Sequence, residues 1–297
     1  MPLQNYLQAS RSLAKLVSLG DIRESNTNEH IVRSLLDIAC DSDSTADQIY
    51  IAALAMIAPS NPMVSVQGGT LPKTSQLAGA RVADFQIGMY PVTYEEWQGV
   101  RNWAVENGYD MSEGTGGGPS HPLVKVNWYD CVKWCNAKSR MEGLEPVYGV
   151  KGHDGYYCSG EYGSRGSYNV ILKPRANGYR LPTEAEWEWA ARGARHSQGY
   201  TFAGSNNLNS VGWYSDNSGG AAHAVGEKAA NELGLCDMSG NVYEWCWDLN
   251  APHRRSIRGG SWLDNAYNAA VAYRGDYNVT DPDTRDNIFG FRLARSL

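Results

Sequence analysis

Phenylalanine is scarce in this sequence, with 4 residues against 18 Tyr and 10 Trp. A core rich in Tyr and Trp must find partners for its hydroxyl and indole N–H groups, so it is less interchangeable than a purely apolar one. Positive charge is also in deficit. Lys and Arg total 26 and Asp and Glu 32, a formal net charge of −6, and no basic run occurs. The chain thus lacks the electrostatic footprint expected of a nucleic-acid or anionic-membrane partner, and none is expected. No apolar stretch is long enough to span a bilayer, and the opening MPLQNYLQAS has no apolar export core. Histidine is rare, and His30 alone falls in the first 120 residues. The six cysteines, at 40, 131, 135, 158, 236 and 246, show no zinc-type spacing with histidine. Cys131 and Cys135 are expected on one helix face, with Cβ atoms roughly 5–6 Å apart. That is too far for an easy disulfide, so buried thiols are expected. Enough remains for a substantial core, since 42% of the residues are hydrophobic.

The texture changes near residue 60. Residues 1–60 carry apolar residues at helical spacing, among them Leu3, Tyr6, Leu13, Leu16 and Val17, then Ile31, Leu35, Leu36 and Ile38. They are expected to form an N-terminal helical segment that packs its apolar faces internally. From 61 to 297 the chain is rich in Gly, Asn, Ser and Trp, with short strands such as MVSV and long irregular connections. Three helices have start signals there. Thr93 with Glu96 precedes one that ends at Gly108. Asn127 caps one that ends near Gly143. Thr183 with Glu186 opens one that stops at Gly193.

Six blocks in the second part carry a resemblance. They are FQIGMYPVTYEEW (85–97), HPLVKVNWYDCVKWC (121–135), GYRLPTEAEWEWAARGA (178–194), ELGLCDMSGNVYEWCWD (232–248), IRGGSW (257–262) and GFRLAR (290–295). In order and content they resemble the formylglycine-generating-enzyme, or sulfatase-modifying factor, family. The resemblance implies an α+β fold, a C-type lectin fold of the formylglycine-generating-enzyme type, here with an N-terminal helical appendage. In the family's enzymes two cysteines spaced C-x₄-C after the GGSW block hold copper, whose Cu(I) state requires soft thiolates. The matching positions here are Asp264 and Ala269, and no Cys follows Cys246. Formylglycine generation is therefore not expected. The alternative is an oxidase of the same fold with relocated catalytic residues.

The stretch 263–289 also resembles the variable region of diversity-generating-retroelement target proteins, which use this fold and diversify adenine-rich codons. Such codons cannot yield Lys, Glu, Gln, Met or Trp, and 263–289 contains none of the five, whereas 181–250 contains all of them. The resemblance implies a hypervariable ligand-binding region at 258–297 and a non-catalytic protein that presents it to a protein or other macromolecular ligand. It also implies display on a cell or virion surface. The expected ligand-binding positions are Leu263, Asp264, Asn265, Tyr267, Asn268, Tyr273, Gly275, Asp276, Tyr277, Asp286, Asn287 and Ile288. Ser261, Trp262, Val271, Arg274, Arg285 and Phe291 are expected to hold the backbone. No cofactor is required. Calcium is an option at Asn231 and Gly234, where family enzymes use an Asn side chain and backbone carbonyls; a tight turn with a hydrogen-bonded Asn is the competing expectation. His121 is expected to be structural, and Gly116–Gly118, which no Lys-Ser/Thr follows, a loop that does not bind phosphate.

Overall fold

The structure, a computed structural model, describes residues 61–160, 169–275 and 281–297. The N-terminal helical segment expected at 1–60 lies outside the described residues. Strands β1 (Met63–Val66), β4 (Phe85–Gly88), β7 (Tyr179–Arg180) and β11 (Ala294–Ser296) form one sheet in the order β1-β4-β11-β7. All its pairs are antiparallel, with Val66 opposite Phe85, and Ala294 opposite both Ile87 and Arg180. Alternation makes β4 a strand. Phe85 and Ile87 point into the core while Gln86 is half-buried between them. A second sheet places β8 (Tyr243–Ala251) between β9 (Arg254–Arg258) and β10 (Phe289–Gly290), the last running parallel to β8. Two small ladders complete the set, β2 (Gly69–Thr70) with β3 (Arg81–Val82) and β5 (Tyr148–Val150) with β6 (Val170–Leu172).

The three expected helices are present: α1 (Tyr94–Glu106), α2 (Trp128–Met141) and α3 (Glu184–Ala191), with a one-turn α4 at Leu208–Val211. Thr93 Oγ1 accepts the Glu96 N–H at 3.2 Å. Asn127 with Asp130, and Thr183 with Glu186, form reciprocal capping boxes. Gly108, Gly143 and Gly193, just past the helices, all have left-handed φ.

The aromatic bias is explained by the core. Trp97 and Trp134 stack at 5.9 Å, and Phe291 meets both edge-on at 6.2 and 5.5 Å. The buried indoles donate to fixed acceptors: Trp97 to Glu113 O, Trp134 to Trp97 O, Trp128 to Cys246 O and Trp187 to Glu244 Oε2. Each indole thus satisfies its N–H while burying a large ring. Cys131 and Cys135 are free and buried, as expected. His121 packs against the glycine run: a Cβ on Gly117 would lie 2.8 Å from its ring. Among the described residues no helix is long and apolar enough to cross a membrane.

Candidate functional site

The candidate surface grows out of β9. After Arg258 the chain turns at Gly259 and Gly260, with φ of 98° and 75°. A Cβ on Gly260 would sit 2.9 Å from Asn268 O and 3.0 Å from Ala269 N, so glycine is needed both for the dihedral and for the close approach. Ser261 is buried, and its N–H and hydroxyl both donate to the Asp264 carboxylate, closing a tight turn. The next bonds tie the loop to the body. Trp262 N–H donates to Asn241 O at 2.8 Å, Ser215 N–H to Asp264 O at 2.9 Å, Ser239 Oγ to Ala269 O at 2.8 Å and Val271 N–H to Thr201 O at 3.0 Å. Val271 is buried, and Arg258 donates to its carbonyl at 2.6 Å.

Below the loop runs a ladder of alternating charge. Arg274 binds Glu184 through two bonds of 2.6 and 2.7 Å. Arg258 bridges Glu184 at 3.0 Å and Glu188 at 2.9 Å, and Glu188 accepts from Arg192 Nε at 2.8 Å. Burial opposes charge on Glu184, yet Arg274 and Arg258 hold its carboxyl below the ordinary carboxylate range. The later part of the region is held by Arg285, paired with Asp130 at 3.1 Å, and by the Trp262 indole, which donates to Asn287 O at 3.3 Å. Arg292 forms a fully buried two-bond pair with Glu244 at 2.6 and 2.7 Å.

Against this frame the expected binding residues divide. Leu263 and Tyr267 are the most open, 59% and 73% exposed, and the Tyr267 ring meets Tyr273 edge-on at 5.1 Å. Asn265, Asp286 and Asn287 are exposed, while Tyr273 and Ile288 are half-buried. The Trp262 bond to Asn287 brings the two stretches together. Three positions depart from the expected exposure. The Asp264 carboxylate is half-buried and engaged with Ser261, and Asn268 is 7% exposed. Gly275 is buried, and a Cβ there would lie 2.9 Å from the Ile257 side chain, which would have to shift to admit a larger residue. The Asn265 side-chain Oδ1 is also used locally, accepting the Tyr267 N–H at 3.0 Å. Asp276 and Tyr277 lie outside the described residues. Of the expected scaffold, Ser261, Val271 and Phe291 are buried and Arg274 and Arg285 are ion-paired, but Trp262 is only half-buried. Its indole ties the loop to Asn287 instead of standing among the buried rings of the core. The charge ladder was missed in sequence; Glu184 and Glu188, one helical turn apart on a tryptophan-rich helix, were its available signal.

The metal positions can be tested against the residues present. Asn231 Oδ1 accepts the N–H groups of Leu233 and Leu235 at 3.0 and 3.1 Å, and its Nδ2 donates to Ala190 O and Ala191 O. Both lone pairs of the oxygen are committed to the backbone, so Asn231 as arranged does not fit a calcium ion, and Gly234 closes the turn through its N–H to Asn231 O. The tight-turn expectation describes the site. At the copper positions, Asp264 is locked to Ser261 and Ala269 is fully buried. Burial first, then Asp130 for Cys131 and Glu184 for Cys246, pushes these two thiols well above their ordinary range; burial and Asp237 raise that of Cys236. These are the opposite of the conditions that make a thiolate.

Comparison with known proteins agrees with this architecture. The model of the sulfatase-modifying factor enzyme 1-like domain matches residues 54–297. Chaperone protein LppX of Paenibacillus barcinonensis is 35% identical over 268 residues, spanning 80% of this chain and 90% of its own. The inactive C-alpha-formylglycine-generating enzyme 2 of Mus musculus is 34% identical over 135 residues, 40% of this chain and 44% of that protein. Among solved structures, Treponema denticola variable protein 1 superposes with a TM-score of 0.66 at 31% identity, covering 79% of this chain and 95% of its own. The chain therefore belongs to the sulfatase-modifying factor enzyme 1-like family, with an α+β fold of the C-type lectin kind and with neither copper-binding cysteine of the family's enzymes.

Proposed function

We propose that this protein is a non-catalytic binding module that offers a partner protein the surface formed by Leu263, Asn265, Tyr267, Tyr273, Asp286, Asn287 and Ile288. The observation that carries the reading is the exposure of Leu263 and Tyr267 on a loop whose backbone is tied down by residues outside that set. A rigid loop with open side chains lets sequence change without changing the fold. Tyr and Leu bury large apolar areas on contact, and each Tyr loses little conformational entropy for roughly 150–250 Å². The neighbouring Asn and Asp supply adaptable hydrogen bonds. The absence of both thiolate ligands and the high thiol pKa values weigh against the oxidase alternative. The likeness to the Treponema variable protein supports diversification of this surface. Display on a cell or virion surface is part of the same proposal.

The likeness to LppX, named a chaperone and matched over 90% of its length, favours a second reading: the same surface with a fixed client. Sequencing the DNA that encodes 258–297 from many individuals of one population separates the two. Diversification predicts substitutions concentrated in the codons of the exposed set, with Gly259, Gly260, Ser261, Gly275 and Phe291 constant, and an adenine-rich template repeat beside a reverse transcriptase gene. An invariant segment with no template contradicts diversification and leaves the fixed-client reading.

A further inference from the structure

The presented loop borders a groove. Ala270 N–H donates to Tyr267 O at 3.4 Å and Tyr273 N–H to Ala270 O at 2.9 Å, so 267–273 is one continuous turn. Tyr267, largely exposed, meets Tyr273 edge-on, and beside this pair Ala270–Ala272 line a groove of about 500 Å³. That volume admits one large side chain with part of its backbone. The walls are fixed. Val271 N–H donates to Thr201 O at 3.0 Å. Trp189 is held by its N–H on Gln67 O at 2.9 Å and by close packing on Gly69, where a Cβ would collide with its ring. A preformed recess joined to an open aromatic pair is the arrangement in which an anchor side chain of a partner is buried.

The chemistry of the lining selects the anchor. Pro72, Val271, the flanking alanines and the Trp189 ring make it mainly apolar. It presents no free charge. Arg192 gives its Nε to Glu188, and its Nη2 is buried away from solvent. With Asp248 behind Glu184, the ion network stands at three arginines (192, 258 and 274) against three carboxylates (184, 188 and 248). A charged side chain entering the groove would lose its water and meet no opposite charge. Thr70, Thr74, Tyr200 and Thr201 stand exposed along the groove, and among the described residues their hydroxyls make no hydrogen bond to protein. They can pair with the N–H and C=O groups of a peptide. A sugar would also suit a neutral lining, but the hydroxyls it turned to Pro72 and Val271 would be left unpaired.

We infer that this groove is the anchor pocket of the presented surface, taking one large uncharged apolar side chain, with its flanking backbone, from an exposed segment of the partner protein. The inference deepens the presented-surface reading and rests on it for the partner; the groove itself is tested without one.

The test is a chemical-shift titration of the full chain, read at the Trp189 indole N–H and the Val271 methyls. The probes are the capped peptides acetyl-Gly-Phe-Gly-amide, acetyl-Gly-Leu-Gly-amide, acetyl-Gly-Glu-Gly-amide and acetyl-Gly-Lys-Gly-amide, with methyl glucoside as the sugar. Saturable binding of the Phe or Leu peptide is expected, at least about tenfold tighter than that of the Glu and Lys peptides. Ala272→Trp and, from the exposed β2–β3 side, Thr74→Trp fill the groove without touching the ion network. Each should remove binding while leaving the melting temperature close to that of the parent. Equal binding of all four peptides, tighter binding of a charged peptide or of the glucoside, no saturable binding, or binding that survives both variants would each overturn the inference. Failure of the presented-surface reading shows separately, as unfolding of the domain by Leu263→Ala or Tyr267→Ala.

Discussion

Single side chains carry three separable quantities: core packing, a bond between two stretches of the loop region, and a buried carboxyl. Phe291 packs edge-on against two stacked indoles with no exposure, so Phe291→Ala should cost about 3–5 kcal/mol in denaturant unfolding. Trp262 was expected, with Phe291, to hold the backbone and to cost as much when truncated. It is half-buried with one long hydrogen bond, so Trp262→Ala should cost clearly less than Phe291→Ala. Equal losses would put Trp262 back in the core. Asp237 sets a pH dependence. Burial raises its carboxyl from 3.8 to about 6, although Gly226 N–H donates to it at 2.8 Å. The folded state then keeps a proton that the unfolded state releases. This contribution to stability is full below about pH 4 and is lost as pH rises through about 6. Asp237→Asn should flatten the stability profile across that window relative to the parent; an identical slope in both proteins rules the assignment out.

At the level of elements, helix ends were legible because the signals are local. Thr183 and Glu186, three residues apart, satisfy each other's backbone N–H whatever else the chain does, and so do Asn127 and Asp130. Strand β1 and the end of α3 at Gly193 could be read for the same reason. The exposure of the 263–275 loop could be read only in part. Asn268 and Asp264 have the polar composition of a contact surface, yet one is buried and the other closes the turn at Ser261. Whether a polar loop residue faces solvent or its own turn depends on partners that composition does not reveal. Gly275 was read as diversified, yet it is buried, and a side chain there would have to displace that of Ile257, eighteen positions earlier. The Gly259-Gly260 turn tests the idea that this loop has one backbone. Gly260→Ala must adopt φ near 75° and crowd Asn268 O, costing at least about 1–2 kcal/mol from the left-handed backbone. A neutral substitution would mean the turn can relax and the loop is not rigid.

For the whole molecule, the family frame and the missing chemistry point the same way. The chain has a buried network in which Arg292 and Trp187 both donate to Glu244, and it lacks the two thiolates that the resemblance assigns to the copper site of the family's enzymes. Titration with Cu(I) against a competing chelator should find no tight, stoichiometric site; one that survives mutation of both Cys236 and Cys246 would revive the enzyme reading. The central claim is that the fold and the presented side chains are separable, and paired unfolding curves test it most directly. Leu263→Ala and Tyr267→Ala, each measured beside Phe291→Ala, should cost about 1 kcal/mol or less, the Tyr267 loss reflecting its contact with Tyr273. Phe291→Ala should cost several times more. If Leu263→Ala and Tyr267→Ala destabilise the domain as much as Phe291→Ala does, the loop is core and the presented-surface account is wrong.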